Sequence, residues 1–373
     1  MSLSPLRRVL PLWFGSRCFI AFFVYLGHFS HPFQERIEGG YAGVSSPFLN
    51  AWTYFDSQHF LTIAREGYNA AITPFFPLYP LLLQPFGPDE NRMALAGIVI
   101  SNLAFLGALW LFYELTRERY GEETAARASW LLSFFPAGAF GMAVYTESLF
   151  LLLALGAWRL ARQNRWIWAA VLAFLAALTR NSGPFLALAL GLEWWAQRGR
   201  EPRPSKTAFL AVAAPLMAFV AVQFSFSRQF GGAAGVASQG VYARALNWPW
   251  IPIWRDLRGI LTGTQLEIVT ILNLGATLLA LWWLWRRRNE LPRSEAALLL
   301  GVMAMQLTLS RTIPPYTIAS LRYVFALWPF TQLMALETEV FTLNRVRKIA
   351  AGSIYLLLCA VHSYLFGLKS FLS

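Results

Sequence analysis

Charge is the first thing this chain is short of. Only 13% of its 373 residues are charged and 57% are hydrophobic, where a soluble domain carries about 25% charged residues. Length alone would allow two soluble domains, but apolar runs bounded by arginines leave no room for one of any size. Cysteine is scarce as well. Cys18 and Cys359 are the only two, both inside apolar segments near opposite ends, which excludes a disulfide framework and a Cys-rich metal site. The four histidines, His28, His31, His59 and His362, lack ligand spacing, and the Asp89-Glu90 pair adds too little for a metal cluster. No metal or other cofactor is therefore expected. The two halves show no self-similarity, which removes the main sequence support for a transporter. Acidic residues are outnumbered 19 to 31, for a net charge of +12. The excess is scattered rather than clustered, which argues against nucleic acid and for anionic lipid headgroups.

What is present is a polytopic, all-α membrane protein. With roughly 20 residues needed per span, apolar segments fall near 10–30, 93–113, 128–144, 146–161, 166–179, 184–197, 207–226, 266–285, 296–311, 321–337 and 349–368, about eleven spans in one membrane domain. Arg7 and Arg8 precede the first run, no small-residue cleavage site follows, and the run reads as an uncleaved span. If those arginines are cytoplasmic, the basic clusters Arg117 to Arg127, Arg159 to Arg165, Arg198 to Lys206, Arg286 to Arg293 and Arg345 to Lys348 all fall on the same side. The long connections 31–92 and 227–265 then lie on the non-cytoplasmic face, together with the turns at 145–148, 179–183 and 311–320. Loops of that length are functional or disordered, and the first is too aromatic to be disordered.

Within it, Asp56 precedes a run whose spacing predicts a helix to Glu66, stopped by Gly67. Asp56, His59 and Glu66 fall on one side of this helix, and Phe60, Leu61 and Ala64 on the other, the pattern of an interfacial helix. Two readings of Asp56 stand side by side, a helix N-cap and a functional carboxylate. The following Pro74-Phe75-Phe76-Pro77-Leu78-Tyr79-Pro80 cannot be a regular helix interior, and reads as a re-entrant or surface turn. Glu147, between two apolar spans, is either a functional ionisable group at membrane depth or an acid complementing a helix dipole. Arg180 ends a span on the face where positive-inside would not put it, and is either a snorkelling side chain or an anion ligand. Arg311 and Arg322 bracket a turn on that same face. Guanidinium groups gathered near one carboxylate suit phosphate oxygens. Arg17, inside the first run, reads as a snorkelling structural residue.

The run Phe55-Asp56-Ser57-Gln58-His59-Phe60-Leu61-Thr62-Ile63-Ala64-Arg65-Glu66-Gly67-Tyr68, followed by Phe75-Phe76-Pro77-Leu78-Tyr79-Pro80-Leu81, resembles the first luminal loop of the PIG-V family, the second mannosyltransferase of GPI-anchor assembly. The likeness continues in Phe135-Pro136-Ala137, Tyr145-Thr146-Glu147-Ser148-Leu149-Phe150 and Thr179-Arg180-Asn181-Ser182-Gly183. It is looser at Ser16-Arg17 and Leu321-Arg322-Tyr323. Phe55 stands where the family has tryptophan, and Asn181-Ser182 reverses the family's order; neither change removes an ionisable group.

The resemblance implies a GT-C glycosyltransferase that moves a sugar, mannose by analogy, from a polyprenyl-phosphate carrier to an acceptor hydroxyl on the non-cytoplasmic face. The residues are compatible with that chemistry. One carboxylate takes the acceptor proton, and the leaving group is already a phosphate, so the second acid of glycoside hydrolysis is not required. Asp56 is the expected base, with Arg180, Arg311 and Arg322 holding the donor phosphate. His59, Glu147, Tyr68, Tyr79 and Asn181 would position sugar or acceptor. The short basic connections look prokaryotic, which places the chain in a bacterial cytoplasmic membrane and makes the acceptor a glycolipid, a glycan or a protein. A polyprenyl-linked sugar or lipid flippase is the alternative of a different class.

Overall fold

The computed structural model describes residues 5–30, 43–199, 205–231, 242–317, 319–340 and 345–369, with the side chains of 338–340 and 345–347 outside the description. His31, Arg36, Arg200 and Arg203 fall outside the described residues. The chain folds as two compact units, one of residues 1–66, 79–155 and 330–372, the other of 67–78 and 156–329.

Among the described residues, five helices are long and apolar enough to cross a membrane: α1 (Pro5–Phe29), α5 (Glu90–Tyr120), α10 (Ala208–Phe230), α12 (Ile268–Arg286) and the Lys348–Gly367 part of α16 (Arg345–Gly367). Each matches an expected span, and the polytopic helical class holds. Two expected spans are broken. The run 128–144 is helix α6 (Glu122–Ser133) followed by a 3-10 turn at Pro136–Gly141, because Pro136 has no N–H and its ring disfavours helical geometry in the residue before it. The run 321–337 is two helices, α14 (Ser320–Phe325) and α15 (Trp328–Val340), the second with Pro329 in its first turn, where no N–H is needed.

In the first unit α1 packs along α16. A Cβ on Gly27 would meet the Tyr364 carbonyl, and one on Gly367 the Val24 carbonyl, so two bare glycines let the backbones touch. Close approach of this kind holds helices together where lipid is as apolar as leucine and burial alone drives little. Arg17 is 6% exposed. Its Nη2 lies 3.5 Å from the Ser133 carbonyl and its guanidinium sits 4.1 Å from the Phe105 ring centre. The snorkelling expectation is therefore corrected: a carbonyl and a ring face, not headgroups, receive the cation.

Also in this unit are α2 (Pro47–Asn50), α3 (Asp56–Glu66) and, from Tyr79 on, α4 (Leu78–Leu83). The observed α3 ends where expected, with Gly67 at φ +83° after it, and begins at Asp56 itself rather than after it. Phe60, Leu61 and Ile63 are buried on its inner side and Glu66 is exposed. The expected turn holds over 74–77, and from Leu78 the chain is helix α4 instead, because Pro80 falls in its first turn, where the N–H has no intrahelical partner.

The second unit contains α8 (Trp166–Ala177), α9 (Leu186–Gln197), α10, α11 (Trp250–Leu261), α12, α13 (Arg293–Thr308) and α14; α7 (Glu147–Arg162) divides between the units. A two-stranded antiparallel ribbon, β1 (Arg244–Leu246) with β2 (Leu309–Arg311), pairs Arg244 with Arg311. It is a small exception to the all-α expectation.

Candidate active site

Asp56 is the first residue of α3, and Phe55 before it takes a left-handed φ of +55°. That unusual residue turns the chain sharply into the helix, a conformation tolerated for a bulky side chain only where surroundings impose it. The surroundings are tyrosines. The Asp56 backbone N–H donates to the Tyr145 hydroxyl at 3.1 Å, and that hydroxyl donates to the Tyr54 carbonyl at 3.3 Å. One buried phenol thus ties the start of α3 to a segment 89 residues away, two positions before Glu147. Beneath α3, the Phe60 ring lies 5.5 Å from Tyr79 and 6.3 Å from Tyr145, and Phe140 lies 5.1 Å from Tyr145.

Glu147 is fully buried at the first turn of α7, an end favourable to negative charge. Tyr79 is equally buried: its hydroxyl bonds the Gly97 carbonyl and the Ser101 hydroxyl, both at 2.8 Å, and Ser101 donates to the Tyr145 carbonyl at 3.1 Å. Burial raises the Tyr79 phenol far above its ordinary range, and the Glu147 charge adds to this. Its protonated hydroxyl is committed to holding Tyr145, which makes Tyr79 part of the frame of the carboxylate region. His59 is half-buried, and burial lowers its pKa while the Asp56 charge partly opposes the shift. Burial thus favours the neutral ring, with Asp56 near enough to be felt.

The arginine region belongs to the second unit. After α8 the chain turns so tightly that a Cβ on Gly183 would collide with the Ala177 backbone. The turn presents Arg180, 6% exposed, with its guanidinium 5.2 Å from the Tyr323 ring centre, while the Tyr323 hydroxyl reaches Asn181 Oδ1 at 3.4 Å. Tyr323 neighbours Arg322 on α14, so Arg180, Asn181 and the Arg322 segment come together. The Phe75-Phe76-Pro77-Leu78 motif joins them: the Leu78 N–H donates to the Leu178 carbonyl at 2.9 Å, and Phe76 packs against Val222 and Phe226. Tyr68 packs there too, its ring 4.7 Å from Phe226, its hydroxyl donating to the Phe75 carbonyl at 2.7 Å, and its phenol pKa raised by burial.

Arg311 lies on the ribbon, with Nη1 3.4 Å from the Pro314 carbonyl. Its pKa is lowered by burial and by the neighbouring Arg244 charge. Like charges directly opposite on paired strands repel, and an anion would relieve them. Sequence reasoning missed Arg244, Tyr145 and Tyr323 as site residues. The last two lay inside quoted motifs, whereas Arg244 carried no local signal. Among the described residues, no three His, Cys, Asp or Glu side chains gather as a metal-binding group.

These features define a helical integral membrane protein whose motif carboxylates and arginines are set at helix ends and tight turns. Residues 41–191 match the family model described as mannosyltransferase (PIG-V), so the resemblance read from the motifs holds over that stretch, which is less than half of the chain. The match takes in Asp56, His59, Tyr68, Tyr79, Glu147, Arg180 and Asn181 and stops short of Arg311 and Arg322. It supports a glycosyltransferase with a sugar donor and an acceptor. No curated protein matches the chain.

Proposed function

We propose that this protein is a GT-C mannosyltransferase that transfers mannose from a polyprenyl-phosphate carrier to an acceptor hydroxyl on the non-cytoplasmic face of a bacterial cytoplasmic membrane, with inversion. The observation that carries the reading is the hydrogen bond from the Asp56 N–H to the Tyr145 hydroxyl, which ties the motif that holds Asp56 to the distant motif that holds Tyr145 and Glu147. The acceptor oxygen attacks the anomeric carbon from the side opposite the phosphate, and its proton passes to the Asp56 carboxylate. The bond from that carbon to the phosphate oxygen breaks, and polyprenyl phosphate leaves with one more negative charge than it had as a diester. Fixed guanidinium groups stabilise that developing charge. Arg180 and Arg322 serve this role, and the Arg244–Arg311 pair offers a further anion contact. His59, Glu147 and Asn181 position sugar or acceptor hydroxyls; Tyr79 and Tyr68 hold the frames of their regions. The reaction needs no metal.

The test is the purified full chain in lipid vesicles with radiolabelled polyprenyl-phosphate-mannose and candidate glycolipid, glycan and peptide acceptors, comparing wild type with Asp56→Ala. Transfer by the wild type alone is expected. Equal transfer by both removes Asp56 as base, and carrier movement across the bilayer without transfer establishes a flippase instead.

A further inference from the structure

Helix α11 and its Asp256 were absorbed neither by the motifs nor by the proposed chemistry. The helix has 12 residues, about 18 Å at 1.5 Å per residue, too short for a hydrocarbon core of about 30 Å. Its inner face is Pro252, Asp256 and Gly259, all buried. Its outer face, where a water-facing helix would be polar, carries Trp250 and Trp254, each 60% exposed, and Leu261 at 74%, with exposed Arg255 and Arg258 among them. Trp248, also exposed, stacks on Trp250 with ring centres 5.1 Å apart. Outward tryptophans interleaved with arginines are the pattern of a helix lying at headgroup level, and the arginines complement anionic headgroups. Helix α12, apolar and long enough to span, begins seven residues after α11 ends.

The inner face makes one connection of consequence. Asp256 is fully buried, and its carboxylate accepts from the Tyr316 N–H at 2.9 Å, the Thr317 N–H at 2.7 Å and the Thr317 hydroxyl at 2.6 Å. Three donors occupy both oxygens, so this acid is spoken for as an anchor and does not serve as a base. Arg255 adds a contact, 5.2 Å from the Tyr316 ring centre. The knot continues into α14. The Ser320 hydroxyl donates to the Thr317 carbonyl at 2.8 Å and accepts from Thr277 and Gln306, and the Leu321 N–H donates to Asn273 at 3.0 Å. Between them Ala319 holds a left-handed φ of +66°, a conformation that persists in a non-glycine residue when its surroundings over-determine it. The helix so fixed carries Arg322 and Tyr323.

We propose that α11 is seated in the lipid–water interface of the bilayer and that Asp256 is a positioning residue, locking Tyr316 and Thr317, and through Ser320 helix α14, to that membrane-seated helix. Its consequence for the donor rests on the proposed function; the seat and the lock do not. Donor phosphate is then met by an arginine whose height is set by the membrane surface itself.

Two readouts free of catalysis test the seat and the lock in the full chain in nanodiscs containing anionic lipid. A nitroxide at Trp254→Cys, in a Cys18→Ser background, should be more accessible to oxygen than to a water-soluble nickel chelate. The reverse ratio, or a label shielded from both only as protein-to-lipid ratio rises, which would identify a second copy of the chain, overturns the seat. Hydrogen exchange should show at least tenfold faster deuteration of amides 316–325 in Asp256→Asn, and a smaller rise in Thr317→Val, with the rest of the chain unchanged. Unchanged protection in both variants overturns the lock. If the wild type transfers mannose, Asp256→Asn should raise the donor KM about tenfold with the acceptor KM unchanged, and an equal rise in both overturns the donor consequence. A wild type that transfers nothing overturns the proposed function and, with it, that consequence, while the exchange and accessibility results still decide the seat and the lock.

Discussion

The carboxylate region and the arginine region are held by different means. Around Asp56 the geometry is imposed by buried hydroxyls acting over long sequence separations: Tyr145 reaches Asp56 and Tyr54, and Tyr79 with Ser101 holds the Tyr145 backbone. Around Arg180 it is imposed by backbone economy. A glycine too crowded for a Cβ folds the turn back on its own helix, and an aromatic face receives the cation. A base must stand within hydrogen-bond reach of one proton, which rewards the stiff, directional frame of the first region. In the proposed chemistry the group that receives a lipid phosphate needs its charge and its planar fork of donors, and a guanidinium held on a ring face keeps both.

The sharpest way to break that contrast is to change one charge in each region. Asp56→Asn keeps the shape and removes the proposed base, and should lower kcat by about 10²- to 10⁴-fold with little change in donor KM. Comparable loss in both constants would make Asp56 a binding group instead. Arg180→Lys keeps the charge and loses the fork, and should act mainly on donor KM, by roughly 10- to 100-fold, since hydrogen bonds to charged groups are worth about 1.5–3 kcal/mol. Steady-state kinetics with donor and acceptor varied separately distinguish the two patterns.

How much could be read beforehand also differs between the regions. Helix α3, its end and its inner apolar face were legible, because the period of apolar residues and the Gly67 stop are local signals. The Asp56 and Arg180 motifs were legible as patterns. What held them was not: the role of Tyr145 depends on which carbonyl and which N–H lie beside it after folding, and no spacing encodes that. The breaks inside 128–144 and 321–337 were missed because hydropathy sums over Pro136 and Pro329 without registering the backbone they forbid. Arg17 misled for a related reason, since its burial against Phe105 and Ser133 is a matter of tertiary neighbours. Asp256 had no motif around it at all, and became visible only through its three donors.

A milder perturbation tests whether the first region is as stiff as its hydrogen bonds imply. Tyr145→Phe keeps the ring against Phe60 and Phe140 and deletes the one hydroxyl that serves both Asp56 and Tyr54. Loss of a hydroxyl that leaves partners unsatisfied costs about 1–3 kcal/mol, and the chain should unfold correspondingly earlier in a denaturant titration followed by circular dichroism. The same variant should lose activity well beyond its loss of stability, since the start of α3 is released. Activity that falls only in step with folded fraction would show that Asp56 is placed by packing alone.

The smallest effect expected belongs to His59. Burial holds its folded pKa below the ordinary histidine value, with Asp56 opposing only in part. In the unfolded chain the ring takes a proton as pH falls through about 6.5, while in the fold it does so only at a lower pH. Over that interval the unfolded state binds more protons, so stability falls as the solution is acidified, and the loss stops growing once pH passes below the folded value. Denaturant midpoints measured from pH 8 downward should therefore decline beginning near 6.5, and His59→Gln should flatten that part of the profile. A profile unchanged by the substitution would mean that the ring is equally hydrated in both states and that the acid side of α3 is looser than the tyrosine frame beneath it.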